Sequence, residues 1–209
     1  MGYTDTLGKA LRVFLNPKAA TSNSMSVGDS LKFYYKLMPI PLVLGLIVSF
    51  LVAKFIAPLA GYGIVAMIAV YFIIGFPLGI LIDGGIYHVI IGKLFKLYRG
   101  NYSRITTAFA YSIIPMLFTG WLSLPLIASA GGHMHAVTIS LAYAAGVVLV
   151  AIFSIWSFVT LLFGLSNQLK ISKLKAFGTL LLNWLIVLVI TFAIVFTFGV
   201  AFLGSAGAL

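Results

Sequence analysis

Five apolar runs, each long enough to cross a lipid bilayer, divide this chain, at about 39–57, 62–92, 105–129, 136–165 and 176–203. A helix needs about 20 apolar residues to span the hydrocarbon core. Inside lipid, every backbone N–H and C=O must find its partner within the segment, which selects helices. The breaks between the runs are "APLAGYG", "YRGNYS", "SAGGHMHA" and "SNQLKISK", rich in Gly, Pro, Ser and Asn as turns require. Composition agrees, with 62% of residues hydrophobic and 8% charged, against about 45–50% and about 25% in soluble domains. The expected fold class is an all-α integral membrane protein, a bundle of five transmembrane helices. Residues 1–36 are expected to form a cytosolic amphipathic helix and linker, 37–204 the transmembrane domain and 205–209 an external tail.

The basic residues give the bundle a direction. Lys9, Arg12, Lys18, Lys32 and Lys36 precede the first run. Lys93, Lys96, Arg99 and Arg104 lie between the second and third, and Lys170, Lys173 and Lys175 between the fourth and fifth. Of the thirteen Lys and Arg, only Lys54 falls near an opposite end, where its stem allows it to snorkel. Loops rich in Lys and Arg stay in the cytoplasm. The N-terminus is therefore expected inside and the C-terminus outside. The net charge of +10 is then accounted for by short loops beside anionic headgroups, and no nucleic-acid partner is expected. The first 35 or so residues lack the apolar core of a cleavable signal. "MGYTDT" fits the short acylation pattern of Gly2 with Thr6; we read it as chance.

"YTDTLGKALRVFLNPKAA" reads as a helix ending near Asn16-Pro17. Tyr3, Leu7, Leu11 and Phe14 recur along one face, and Thr4 or Asp5 is placed to cap the start. Asn16, preceding a proline, is expected to be extended. A basic amphipathic helix of this kind lies on a membrane surface or docks a cytosolic partner. The polar "ATSNSMSVGDS" that follows reads as a weakly ordered linker.

Asp83 is one of three acids in a chain with no Glu, and His88 follows it within the apolar "ILIDGGIYHVIIG". Two arrangements are open. In one, the second helix leaves the membrane near Asp83, and 85–99 forms an interfacial segment with Ile86, Ile90, Leu94 and Leu97 along one stripe. In the other, one long tilted helix runs to Lys93 and leaves Asp83 about 15 Å inside its end. A carboxylate at that depth needs a partner or a proton. His88 lies about 140° around an ideal helix from Asp83, so the two do not stack. Asp83, His88, Tyr111 and Ser112 are the candidate functional polar cluster.

Other constellations are weaker. "HMH" (133–135) lacks the further ligands a metal needs, and no metal site or cofactor is expected. "GFPLG" (75–79) reads as close helix packing with a kink. Only Asp83 among the acids is near lipid, and no nucleophile elbow, phosphate loop or arginine row is present. With no cysteine, disulfide and thiolate chemistry is excluded. No enzymatic activity is expected.

The order of several short motifs resembles the Yip-domain family, membrane proteins named for interaction with Ypt/Rab GTPases. Asn16-Pro17 follows an amphipathic start. "YHVIIGKLFKLYRGNYSRITTAFAYSIIP" (87–115) and "IWSFVTLLFGLSNQLKISKLKAFG" (155–178) follow in order. The matching positions are His88, Gly100, Tyr111, Ser112, Pro115, Trp156, Lys175 and Ala176, and the similarity covers roughly 10–195. The resemblance implies a five-helix bundle with a cytosolic N-terminus. Eukaryotic members act in vesicle traffic and carry a longer N-terminal domain and an aspartate-leucine-tyrosine-glycine-proline motif near the first span. Here "KFYYKLMPIP" stands instead, and the chain looks more like the short prokaryotic members. The expected function is organisation of membrane or protein partners through the basic cytosolic face. Its partners would be anionic lipid headgroups, a cytosolic protein and, compatibly, a second copy of the chain. The alternative is a small-solute or ion transporter with Asp83 and His88 in the path. The expected location is the cell membrane of a prokaryote, or an endomembrane if the source is eukaryotic.

Overall fold

A computed structural model describes residues 2–19, 24–55, 69–117 and 136–206. All regular structure among the described residues is helical. Four stretches are long and apolar enough to cross a membrane: Val27–Ile47, Phe72–Leu94, Gly146–Gln168 and Lys173–Ala193. The third expected span is described only as far as Leu117, and the "APLAGYG" and "HMH" breaks lie outside the described residues.

α1 runs from Tyr3 to Leu15. Gly2 occupies the cap position, its N–H donating to the Asp5 carboxylate at 3.0 Å. Asn16 ends the helix in an extended conformation, φ −140 and ψ 94, as its place before Pro17 requires. The buried face differs from the expected stripe. Thr6, Ala10 and Val13 point inward, while Tyr3 and Leu11 are 47% and 43% exposed. Small residues allow backbones to approach closely, which decides helix packing where surrounding lipid is as apolar as leucine.

α2 (Val27–Leu37) and α3 (Pro39–Phe55) follow. Met38 between them keeps right-handed helical angles, φ −54 and ψ −36, and proline is tolerated where α3 begins because its missing N–H has no intrahelical acceptor there. The helix leading into the first apolar run thus starts at Val27, within the expected linker. Ser26 caps it, accepting the Asp29 N–H at 3.0 Å and donating its hydroxyl to the Asp29 carboxylate at 2.7 Å.

α4 (Phe76–Tyr87) is flanked by wider π-helical turns at Tyr71–Gly75 and His88–Leu94. A π turn bonds i to i+5, inserting one residue into the helix. Tyr34 and Tyr35 of α2 donate their hydroxyls to the carbonyls of Phe72 and Ile73 in the first of these turns. The helix passes unbroken through Asp83, Gly84 and Gly85, the continuous winding that the long-helix arrangement requires. Of the expected stripe, Ile90 is buried and Ile86 and Leu97 pack against the same cluster as Tyr87 and Ile91, whereas Leu94 is 70% exposed beside the second π turn. The chain turns away at Lys96, whose φ is 52.

α5 (Tyr102–Ser112) is capped by Asn101 and packs most extensively on α6 (Ala136–Gln168). A tight turn with Lys170 at φ 54 leads to α7 (Lys173–Ala206). Two buried clusters lie at successive levels of α5. Ile105 and Ala108 pack with Tyr87, Leu161, Leu165 and Ala176. Ala110, Tyr111 and Ile114 pack with Ala10, Val13, Phe33 and Phe72.

Candidate functional site

The four residues of the expected polar cluster do not converge. Asp83 is on an exposed side of α4 beside Ile82, which is 54% exposed. His88 turns to the loop that follows α4, its Nδ1 lying 2.8 Å from the Tyr98 hydroxyl. Tyr111 is buried in the other cluster, edge-on to Phe33 with ring centroids 5.7 Å apart. Ser112 donates its hydroxyl to the Phe109 carbonyl of its own helix at 2.8 Å.

His88 instead belongs to a set of tyrosines at the end of the bundle bearing residues 95–104. The Tyr98 and Tyr87 rings stack with centroids 6.0 Å apart. Thr179 donates its hydroxyl to the Ala176 carbonyl at 2.8 Å, so at 2.7 Å it accepts from Tyr87. Tyr102 donates to the Leu81 carbonyl at 2.7 Å, reaching it over Gly84, where a Cβ would stand 3.7 Å from the Tyr102 ring. Burial, and then the neighbouring Tyr87, raise the pKa of the Tyr98 phenol; burial raises that of Tyr102. Both therefore act as neutral hydroxyl donors or acceptors at ordinary pH. The stereochemistry is that of a clamp on a helix end.

The remaining motif residues are joints of the fold. Asn16 Oδ1 accepts the Lys18 N–H at 3.1 Å, and Pro17 is buried. Gly100 brings the loop after α4 against the turn before α7: a Cβ there would lie 3.0 Å from Leu169 Cδ2. Pro115 is buried in the helical turn following Ile113. Trp156 donates its indole N–H to the Phe14 carbonyl of α1 at 2.8 Å. Lys175 is exposed, its N–H bound to the Ser172 hydroxyl at 3.2 Å, and Ala176 is fully buried beneath it.

Sequence reading passed over a cavity of about 460 Å³ between α1 and α2, lined by Thr6, Lys9, Met25, Asp29, Lys32 and Lys36, among others. The Lys9 ammonium lies 5.2 Å from the Tyr111 ring centroid and 5.9 Å from that of Phe33. Burial lowers its pKa. The spacing of Lys32 and Lys36 along one helix face was the available signal; that Lys9 joins them depends on α1 folding back. Met25 fixes the rim. Its N–H donates to the Thr107 hydroxyl of α5 at 2.9 Å. Among the described residues, no three His, Cys, Asp or Glu side chains gather as a metal would need.

A chain built of apolar spanning helices, with its polar side chains spent on tying helix ends together, is an integral, multi-pass membrane protein. It belongs to the Yip1 domain family, whose model matches residues 11–195. Comparison with curated proteins and with solved structures found no match.

Proposed function

We propose that this Yip1-domain protein is a non-enzymatic, five-span organiser of membrane and protein partners. Its basic face lies in the cytoplasm, together with the N-terminus, and its C-terminus lies outside. The carrying observation is the contact of Gly100 with Leu169. It supports placing the loop that holds Lys96 and Arg99 and the turn that holds Lys170 at one end of the bundle, and loops rich in Lys and Arg are retained inside. The apolar sequence continues past the described Leu117 to residue 129, the length a third span needs. Partners of this face are anionic headgroups, a cytosolic protein and a second copy of the chain. The membrane is the cell membrane of a prokaryote, or an endomembrane in a eukaryote.

The chain has no cysteine, so single cysteines report topology directly. Lys96→Cys and Lys173→Cys should resist an impermeant maleimide added outside intact cells, and Ser205→Cys should react. Labelling of position 96 or 173 from outside would end this reading. Crosslinking from the same positions should capture a cytosolic protein or a second copy. A transport role finds no support in the candidate residues, because Asp83 is on an exposed side of α4 and neither it nor His88 lines the 460 Å³ cavity.

A further inference from the structure

The geometry points to the cavity between α1 and α2 as a binding site for a phosphate anion, with Lys9, Lys32 and Lys36 as its cationic wall and the headgroup of an anionic phospholipid as the occupant it fits best.

The volume, about 460 Å³, falls in the range of small-ligand pockets, about 300–1,000 Å³. Three ammonium groups and a single carboxylate, Asp29, line it, so its walls carry a net positive charge. The Asp29 carboxylate is itself engaged by the Ser26 hydroxyl at 2.7 Å. Lysine binds phosphate as a point charge, and several lysines around a concave wall suit a tetrahedral anion better than a planar carboxylate. Lys9 is drawn half out of water against the rings of Phe33 and Tyr111. An anion in the cavity would compensate that desolvated charge.

Depth favours a lipid. Thr107, which holds Met25 at the rim, follows the Asn101 cap of α5 by about 9 Å along the axis, and Tyr111 follows it by about 15 Å. The interfacial layer of a bilayer is about 5–8 Å thick on each side. Counted from the Asn101 cap, the Met25 rim therefore lies just past that layer and Tyr111 farther toward the hydrocarbon, a depth reached by a headgroup that carries acyl chains. The cavity lining is matched to that depth, with lysines beside the apolar Met25 and Phe33. The site goes beyond the organising role above. It rests on that reading only in taking the end with the basic loops as a membrane surface.

The test is thermal stability of the full chain in neutral detergent. The probes are short-chain phosphatidylglycerol, short-chain phosphatidylcholine and inorganic phosphate. Phosphatidylglycerol should raise Tm saturably and phosphatidylcholine should not. Lys32→Gln, at an exposed position, should weaken half-saturation about fivefold, the scale of one lysine at an anionic surface. Lys9→Gln combined with Lys32→Gln should weaken it further. Asp29→Asn should tighten it, because a carboxylate is removed from the same wall. Lys96→Gln with Lys170→Gln should leave it unchanged. Equal loss in that control pair, or an equal response to phosphatidylcholine, would overturn the site. Saturation by inorganic phosphate alone, with no further gain from lipid, would keep the phosphate site and assign it a soluble occupant. Cysteine labelling on the same variants separates the two proposals: a wrong topology alters labelling and spares the lipid response, whereas a wrong pocket does the reverse.

Discussion

The indole N–H of Trp156 reaches the main-chain carbonyl of Phe14 across 2.8 Å, joining the fourth apolar run to the end of the N-terminal helix. The Phe14 and Phe153 rings stack beside it with centroids 6.3 Å apart. The final carbonyls of a helix lack intrahelical partners, so this bond does for α1 what a C-terminal cap would do. It turns an amphipathic segment into a strap on the bundle.

Trp156→Phe keeps an aromatic body and removes the donor. A net hydrogen bond contributes about 0.5–1.5 kcal/mol. We expect a lower Tm and faster tryptic cleavage after Lys9 and Arg12 in detergent. If cleavage and Tm both match the parent, the strap is held by something else.

Thr107 should behave as a pin for the start of α2. Its hydroxyl oxygen accepts from Met25 N at 2.9 Å, and its proton has carbonyl acceptors in Ser103 at 2.8 Å and Met25 at 3.1 Å. Thr107→Val leaves the Met25 N–H without this acceptor, which costs about 1–3 kcal/mol. Thr107→Ser should recover most of the loss. Thermal unfolding of the three proteins distinguishes the hydroxyl from mere shape.

Two helical glycines should respond in opposite senses to alanine. At Gly164 a Cβ would lie 3.2 Å from Ala108 Cα and 3.1 Å from its Cβ, and backbone cannot step aside. Gly164→Ala should force α5 and α6 apart at about 1–3 kcal/mol. At Gly178 a Cβ meets nothing within 4 Å, and Gly178→Ala should stabilise by roughly 0.5–1 kcal/mol. Equal Tm changes of one sign would contradict the helix contact described.

Alkali should loosen the tyrosine clamp through Tyr98. The folded-state pKa is raised above the ordinary phenol value of about 10, by burial first and by Tyr87 second. The folded protein thus holds a proton that the unfolded chain releases. This contribution is fully present below about pH 10 and is lost as pH rises through the folded value. Lys9 runs the other way. Its pKa is lowered by burial, so it favours folding as pH climbs toward the unfolded lysine value of about 10.4. The difference between the parent and Tyr98→Phe isolates the phenol, and it should narrow above about pH 10. A difference independent of pH would place Tyr98 in water.

Much of this was readable from residues alone. The apolar runs demanded helices, Pro17 stopped α1, and the spacing of short motifs placed the chain in its family. The inward faces were not readable in the same way. Hydrophobicity marks the interior in water, but lipid removes that contrast. Leu188 and Phe192 are 58% and 73% exposed, whereas Thr6, Ala10 and Ala108 are buried. The polar cluster failed for a related reason. Asp83, His88, Tyr111 and Ser112 are near one another in sequence order, yet α4 and α5 turn them toward different neighbours. The partners of His88 and Tyr111, which are Tyr98 for the first and Phe33 and Lys9 for the second, lie on other elements, and Ser112 bonds within its own helix. Nothing in a single periodicity brings Phe14 to Trp156 or Lys9 to Tyr111.

The widened turns at Tyr71–Gly75 and His88–Leu94 have a consequence for how the second span tolerates change in length. Each holds one residue more than an ordinary turn, and a residue is worth about 100° of rotation. Deleting one residue from either turn would allow it to relax to ordinary winding with little loss of downstream phase. The same deletion between them, in α4, would swing Tyr87 and its companions away from α5 and α7. The second helix thus carries two slack links around one taut one.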